Sequence, residues 1–439
     1  MPSRRELPSK RWTSLDGRVD DTRARLQTAI TTINKSALVE HAQHIKGQDV
    51  TMSLPFSVGQ CSVCFELVAE DGTLIIAKVA MPHDPDDPAA RSPEKQAYSL
   101  ACEASTLQFV KLKMPDFLVP RVYAHEGPGS PLAIEVGAAY MLLEGLYGNT
   151  LQDVAPDLTL LSVNKLQFPL AWPKGPFLTK TQEEKQKHIL AQWTQVQQDL
   201  AAITYPRIAS ICGVSTAGRA AWGRPADPLL DNLDLAGPLS DSIEYFTAVA
   251  DKAIATLDPP GKLAAQIFRD IVQSIGFFKD WEAYGAFSLH HMDLSPHNIL
   301  VDEELNFVAI TGWGRAQTAP WQVNHFPEPF HLRDTVGEDP WHDLYPNVSW
   351  QERARVMYIQ KFREAEIRQM EKGVFLGGSF AESIPGVGGR IFGCFKHLCR
   401  AKSVEWDVVR DLARWRVGRD QAEQYVQGIA AGFGLYEQS

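Results

Sequence analysis

Apolar residues recur along this chain with two different periods. Between Glu183 and Ile203 they stand three or four positions apart, which is typical of an amphipathic helix with one face in a core. The runs SVGQCSVCFELVAE and TLIIAKVAM have the composition of β-strands, and the Asp71-Gly72 pair between them is the strongest short hairpin signal. The pattern predicts an early hairpin and later helices.

Strand-like and helix-like segments are unevenly distributed. A helix over Thr22–Ile45 is predicted before the hairpin and another over Tyr98–Leu112 after it, and the segments MPDFLVPRVYAHE and AAYMLLEGL add strands. Further helices are predicted over 183–203, 242–257, 262–281, 350–370 and 404–431. The predicted class is α+β and bilobal. A tail and helix occupy 1–50, a small β-rich N-lobe 51–148 and a larger, mainly helical C-lobe 149–439.

Charge and composition narrow the possible partners. With 44% hydrophobic and 22% charged residues the chain has the composition of a soluble globular protein, and its net charge of -10 argues against a general nucleic-acid binder. No apolar run approaches the length of a membrane span. The basic start, MPSRRELPSKRW, is interpreted as a solvated tail, with a targeting segment as the alternative. We expect a cytoplasmic protein with a small-molecule partner.

The six cysteines include one close pair, Cys61 and Cys64. A Cys-x-x-Cys pair can form half of a zinc site, but Cys394 and Cys399 are spaced wrongly to complete one. Because the pair falls in a predicted strand, its two side chains point to opposite faces. Strand packing is therefore the preferred interpretation of Cys61 and Cys64.

The stretch LHHMDLSPHNILVDEELNFVAITGW, residues 289–313, joins a His-x-Asp-x4-Asn motif to a second predicted hairpin. Together with a β-rich first lobe and a helical second lobe, this motif resembles the aminoglycoside phosphotransferase and choline kinase-like family, which has a protein-kinase-like fold. The segments GPLSDSIEYF, RAQTAPWQV and SWQERARVMYIQKF are most similar to fungal members. The resemblance covers about Ser53 to Met370.

The resemblance implies a role for each residue of the motif. Asp293 corresponds to the residue that accepts the proton of the attacking hydroxyl, and His291 corresponds to the histidine that steadies the loop. Asn298 corresponds to a magnesium ligand, because a carbonyl oxygen suits a hard cation. Lys78 at the end of the strand LIIAK corresponds to the lysine that contacts the nucleotide phosphates. Its expected ion-pair partner is Glu103, with Glu94 as the competing candidate.

The same resemblance implies a nucleotide site. The loop SVGQCSV, with the single glycine Gly59, corresponds to the phosphate-covering loop, and the strand that ends at Glu144 corresponds to the hinge against which adenine stacks. The implied cofactors are ATP or another nucleotide and Mg²⁺, and the implied partner is a small-molecule acceptor. Acidic loops such as HDPDDP and GEDPWHD are compatible with a cationic acceptor.

The chain departs from the family at the end of the second hairpin. The family has Ile-Asp-Trp there, and its Asp is the second metal ligand; aligned through Trp313, this chain has Gly312. Three hypotheses follow. The first is a small-molecule kinase with an atypical metal site, helped by Asp339 or Asp343. The second is a pseudokinase that binds a ligand without chemistry, and the third is a metal-free enzyme that uses His290, His291 or Asp293 as acid or base.

Overall fold

The computed structural model describes residues 20–58, 62–81, 93–155, 180–226, 237–278, 286–323, 348–374, 378–396, 398 and 405–433. These residues belong to two compact units. The first includes the described parts of Met1–Thr159, Ser210–Trp222 and Asp293–Ala316. The second includes the described parts of Leu160–Ala209, Gly223–Met292 and Gln317–Ser439.

Within these residues the strands are β1 (Val50–Val58), β2 (Ser62–Ala69), β3 (Leu74–Ala80), β4 (Val122–Glu126), β5 (Tyr140–Glu144), β6 (Asn149–Thr150), β7 (Thr204–Tyr205), β8 (Ser210–Val214), β9 (Ala220–Gly223), β10 (Phe287–His290), β11 (Ile299–Val301), β12 (Phe307–Ile310) and β13 (Gln317–Ala319). The helices are α1 (Asp20–Thr32), α2 (Lys35–Lys46), α3 (Pro93–Lys113), α4 (Pro131–Val136), α5 (Leu151–Val154), α6 (Lys180–Ala201), α7 (Ser242–Thr256), α8 (Pro259–Ser274), α9 (Val348–Glu371), α10 (Phe380–Ser383), α11 (Val387–Lys396), α12 (Glu405–Val417) and α13 (Arg419–Gly432).

A five-stranded antiparallel sheet in the order β1-β2-β3-β5-β4 organises the first unit. The predicted hairpin is present, with Gly72 at a φ of 82° between β2 and β3. Strand β1 was not among the predicted strands. The backbone of β1 pairs with β2 from Val50 to Val58, but its buried and exposed side chains do not alternate regularly. The alternating apolar pattern that predicts a strand is therefore weak in this segment.

The α1 and α2 helices pack into the core of the first unit together with residues of the sheet. The prediction of one helix over Thr22–Ile45 is wrong, because the helix is interrupted between Thr32 and Lys35. There the Asn34 side chain accepts a hydrogen bond from the backbone N–H of Ala37 at 3.3 Å. This N-cap satisfies an otherwise unpaired donor and so favours a new helix start.

The second unit is built mainly from helices around an aromatic core. Phe246, Phe268, Phe392 and Phe395 belong to that core, and the rings of Phe268 and Phe395 stack at 4.2 Å. The prediction of one helix over 404–431 is also wrong. Gly418, with a φ of 85°, separates α12 from α13, because glycine adopts this backbone conformation without steric cost.

The predicted α+β class is confirmed, with a β-rich unit and a mainly helical unit. The β11–β12 hairpin belongs to the same compact unit as the N-terminal sheet, whereas the sequence analysis placed it in the C-lobe. The reason is that the turn Trp313–Arg315 packs against α3. Among the described residues, none of the helices has both the length and the apolar character that crossing a bilayer requires.

Candidate functional site

An ion pair joins the sheet of the first unit to α3. The Lys78 Nζ lies 2.7 Å from Oε1 and 2.6 Å from Oε2 of Glu103, so both carboxylate oxygens accept hydrogen bonds from one ammonium group. The Lys78 side chain is 22% exposed and that of Glu103 only 7%. The competing candidate, Glu94, is exposed in the first turn of α3. Lys78 is therefore held by a buried anion and keeps part of its surface open to a ligand.

Cys64 lies directly opposite Lys78 across the β2–β3 pairing. Burial raises the pKa of its thiol to about 11, which outweighs the opposing influence of Lys78. The thiol therefore stays protonated near neutral pH and brings no charge to the site. Cys64 is a free cysteine, and Cys61 lies outside the described residues, so the strand-packing interpretation of the pair stays a prediction.

The second hairpin positions Asp293 and Asn298. The Asn298 Nδ2 donates to the backbone carbonyl of Asp293 at 2.8 Å and to its Oδ2 at 3.2 Å, which fixes the orientation of the carboxylate. Met292, immediately before, has a φ of 62°, a conformation that a residue with a Cβ rarely adopts. A strained backbone conformation persists only where the surrounding structure stabilises it, and such conformations cluster at functional sites. The Asp293 side chain is 41% exposed and thus accessible.

Gly312 lies next to Asn298 because β11 and β12 are antiparallel. Ile299 pairs with Ile310, and the Thr311 N–H donates to the Asn298 carbonyl at 2.8 Å, so the residues that flank the two strands meet. Gly312 has a φ of 80°, and a Cβ placed on it would lie 2.7 Å from Asn298 Oδ1. The backbone conformation and the amide side chain together exclude any larger residue here without rearrangement.

The turn after Gly312 carries Arg315, which the sequence reasoning did not single out. Trp313 is fully buried, and its indole N–H donates to the Ile310 carbonyl at 2.8 Å. The Ser99 hydroxyl of α3 donates to the Gly314 carbonyl at 3.4 Å. With its two preceding residues fixed in this way, Arg315 places its Nη1 3.9 Å from Asp293 Oδ2.

These groups open into one cavity of about 460 Å³ within the first unit. Four charged residues are among those that line it: Lys78, Glu103, Asp293 and Arg315. Gly312 and Gly314 form part of its wall, and the remainder includes apolar residues such as Met81 and Leu100. The cavity lining therefore combines two cations and two carboxylates with apolar side chains.

The structure separates the other predicted site residues from this cavity or leaves them undescribed. Glu144 ends β5, where its carboxylate accepts from the Arg121 backbone N–H at 3.0 Å; it stands three residues beyond Met141, the cross-strand partner of Lys78, or about 10 Å along the strand. His291 is buried in the second unit. Gly59 lies outside the described residues.

The groups near Asn298 do not fit a magnesium ion. Mg²⁺ prefers oxygen ligands in near-octahedral geometry, and in phosphoryl-transfer sites one or two carboxylates hold it together with waters and substrate phosphates. Asn298 Oδ1 faces the position that a side chain at residue 312 would occupy, and glycine supplies no oxygen there. Across the described ranges no group of three or more His, Cys, Asp or Glu side chains is arranged to hold a metal. Asp339 and Asp343, the predicted substitutes, lie outside those ranges.

No protein-family model matches the sequence, and no curated protein matches it. Among solved structures, a type I macrolide 2'-phosphotransferase is 12% identical with a TM-score of 0.42, over 90% of this chain and 96% of that one. The ADP-bound aminoglycoside phosphotransferase APH(2'')-Ib is 10% identical with a TM-score of 0.40, over 89% of this chain and 99% of that one. The macrolide 2'-phosphotransferase MphH from Brachybacterium faecium is 14% identical with a TM-score of 0.39, over 92% and 98%. Likenesses this distant carry no information about activity.

Proposed function

We propose that this protein transfers a phosphoryl group from ATP, or another nucleoside triphosphate, to a hydroxyl of a small molecule. The observation that carries the proposal is that the Lys78–Glu103 ion pair and the Asp293 carboxylate line the same cavity. Phosphoryl transfer is mainly a matter of positioning and of charge stabilisation. A held cation and an accessible carboxylate are two of the groups that this chemistry requires from the protein.

Lys78 would contact the phosphates of the nucleotide. An ammonium group offers three donors, and Glu103 fixes its position from the α3 side. Charge-assisted hydrogen bonds from such a lysine to phosphate oxygens are about twice as strong as neutral ones. The hinge role of Glu144 is kept as a proposal, since its place about 10 Å along β5 from the position opposite Lys78 suits the distance between a base and its phosphates.

Asp293 would orient the acceptor hydroxyl and accept its proton as the new oxygen–phosphorus bond forms and the bond from the γ-phosphorus to the departing ADP breaks. Asn298 donates one hydrogen bond to the Asp293 carboxylate and one to its backbone carbonyl, which together hold the residue in place while the carboxylate stays exposed to the cavity. General-base assistance of this kind contributes roughly 10²–10⁴ in rate. The carboxylate is therefore the group whose neutral replacement removes most of the activity without removing the fold.

A ligand-binding protein without turnover is the second candidate, and Gly312 favours it. Metal-dependent phosphoryl transfer relies on a divalent ion for several kcal/mol of transition-state stabilisation. The third hypothesis was metal-free acid–base chemistry through His290, His291 or Asp293, and it has less support for the two histidines, since both side chains are buried. Burial lowers the pKa of His290 to about 4, so that ring is neutral and enclosed at physiological pH.

The test is ADP release from ATP across a panel of hydroxylated small molecules, with wild type, Asp293→Asn and the matched control Asp116→Asn. Asp116 is an exposed carboxylate of the same unit, away from the cavity lining. Asp293→Asn should lower turnover at least about a hundredfold with an unchanged melting temperature, whereas the control should match wild type. Equal turnover by Asp293→Asn would refute the base assignment, and ATP binding without turnover on any acceptor would favour the second candidate.

A further inference from the structure

The cavity contains Lys78, the cation proposed to contact the nucleotide phosphates. The groups near Asn298 do not fit the magnesium ion that the family resemblance implies. We infer that the Arg315 guanidinium supplies the positive charge next to Asp293 that a divalent cation would otherwise supply. The pocket would then bind nucleoside triphosphate independently of metal. This inference rests on the proposed function and specifies the ionic form of its substrate: ATP itself rather than its magnesium complex.

The position of Arg315 is determined by the packing of the turn that carries it. The Trp313 ring is fully buried and hydrogen-bonded to the Ile310 carbonyl, and Gly314 lies so close to α3 that a Cβ on it would be 3.0 Å from Ser99 Oγ and 3.4 Å from Glu103 Oε2. The backbone beside Arg315 thus contacts the helix that holds the partner of Lys78. Contacts with α3 therefore position both cations, since Glu103 holds Lys78 and the packing of Gly314 against this helix holds the turn that carries Arg315.

The charges of the cavity lining are balanced without a metal. Lys78 and Arg315 contribute two positive charges, and Glu103 and Asp293 contribute two negative charges. A carboxylate at position 312 would create an excess of negative charge that a divalent ion could neutralise. Gly312 removes that excess, so magnesium would gain little by entering while a polyanionic ligand would still meet two cations.

The chemistry of the guanidinium suits this role. Arginine remains protonated at all physiological pH values, and its planar fork of N–H donors matches two phosphate oxygens at once. A contact of 3.9 Å to Asp293 Oδ2 is longer than a direct hydrogen bond, so the pairing with the carboxylate is electrostatic. Arg315 can therefore attract phosphate oxygens while remaining close to Asp293.

The experiment is calorimetric titration of ATP into the full chain, with excess magnesium and with excess EDTA. It compares wild type, Arg315→Ala, Arg315→Lys and the matched control Arg219→Ala, since Arg219 is an exposed arginine of the same unit that does not line the cavity. Wild type should bind ATP with affinities that differ less than about threefold between the two conditions. Arg315→Ala should lose about tenfold or more in EDTA, and Arg315→Lys should lie between them.

A second readout separates a charge role from a merely structural one. In Arg315→Ala the guanidinium no longer neutralises the phosphate charge of bound ATP, so magnesium held by the ATP phosphates themselves should now increase the affinity for ATP. Thermal melting of each variant establishes that it is folded. A magnesium dependence that is equally small in Arg315→Ala and wild type, with equal affinities, would overturn the inference, as would tight binding by wild type only when magnesium is present.

The outcomes also distinguish this inference from the proposed function. Strong magnesium dependence in wild type, accompanied by turnover that Asp293→Asn abolishes, would overturn the role of Arg315 and leave the phosphoryl-transfer proposal intact. Metal-independent binding that Arg315→Ala weakens, without turnover on any acceptor, would support the inference and contradict the proposal. An absence of ATP binding under both conditions would overturn both.

Discussion

Replacing Gly312 by alanine should destabilise the fold, and the geometry divides the expected loss of stability into two parts. The first part is the backbone: a φ of 80° costs an L-residue about 1 kcal/mol relative to glycine. The second part is steric, since the new Cβ would lie 2.7 Å from Asn298 Oδ1 and 2.8 Å from its Cγ. The Asn298 side chain must move and weaken its two hydrogen bonds to Asp293, each worth about 0.5–1.5 kcal/mol.

We therefore expect Gly312→Ala to lower the free energy of unfolding by about 2–4 kcal/mol. Equilibrium urea unfolding measures this value, and Gly129→Ala is the matched control. Gly129 has a φ of 86° in the same unit, but a Cβ on it would meet no atom within 4 Å, so the control reports the backbone cost alone. Equal destabilisation by the two variants would refute the proposed contact with Asn298. By the same geometry, an aspartate at position 312 would not fit this fold without a rearrangement of Asn298.

Two further predictions concern stability. Trp313→Phe should destabilise the protein by about 1–3 kcal/mol in urea unfolding, because it leaves the buried Ile310 carbonyl without the indole donor; a loss below 0.5 kcal/mol would contradict the role of that bond. Burial lowers the folded-state pKa of His290 from 6.5 to about 4, so only the unfolded chain is protonated between those values. Stability should fall as pH drops through that window, and His290→Gln should reduce the slope of urea stability against pH; identical slopes would exclude His290 as the cause.

Local sequence signals predicted the elements whose residues contact one another within short stretches. The Asp71-Gly72 pair located the β2–β3 hairpin, because a turn with positive φ requires such residues. The His-x-Asp-x4-Asn spacing pointed to Asp293 and Asn298, which the structure joins by two hydrogen bonds. In each case the interacting groups are close in sequence, so their spacing along the chain predicts that they lie close together in the fold.

The sequence did not reveal features that depend on contacts between distant segments. The contribution of Arg315 depends on the packing of its turn against α3, which lies more than 200 residues earlier in the chain. The spacing of apolar residues along the sequence does not predict such a contact. The only local signal was an arginine three positions after an unexpected glycine. The resemblance named Glu103 as the expected partner of Lys78 and left Glu94 as a competing candidate; the tertiary structure decides between them, because Glu103 is the one that meets Lys78 of β3.

The central claim, that the Lys78 cavity is a nucleotide site, is tested most directly by titrating ATP into wild type and Lys78→Ala in the presence of EDTA. Removing an ammonium group held by Glu103 at 2.6 Å should weaken ATP binding about tenfold or more. Because the variant leaves the buried Glu103 carboxylate without its partner, its melting temperature should also fall, and the titration is made at a temperature where thermal melting shows it to be folded. Undiminished ATP affinity in a folded Lys78→Ala variant would contradict the account and place the nucleotide elsewhere.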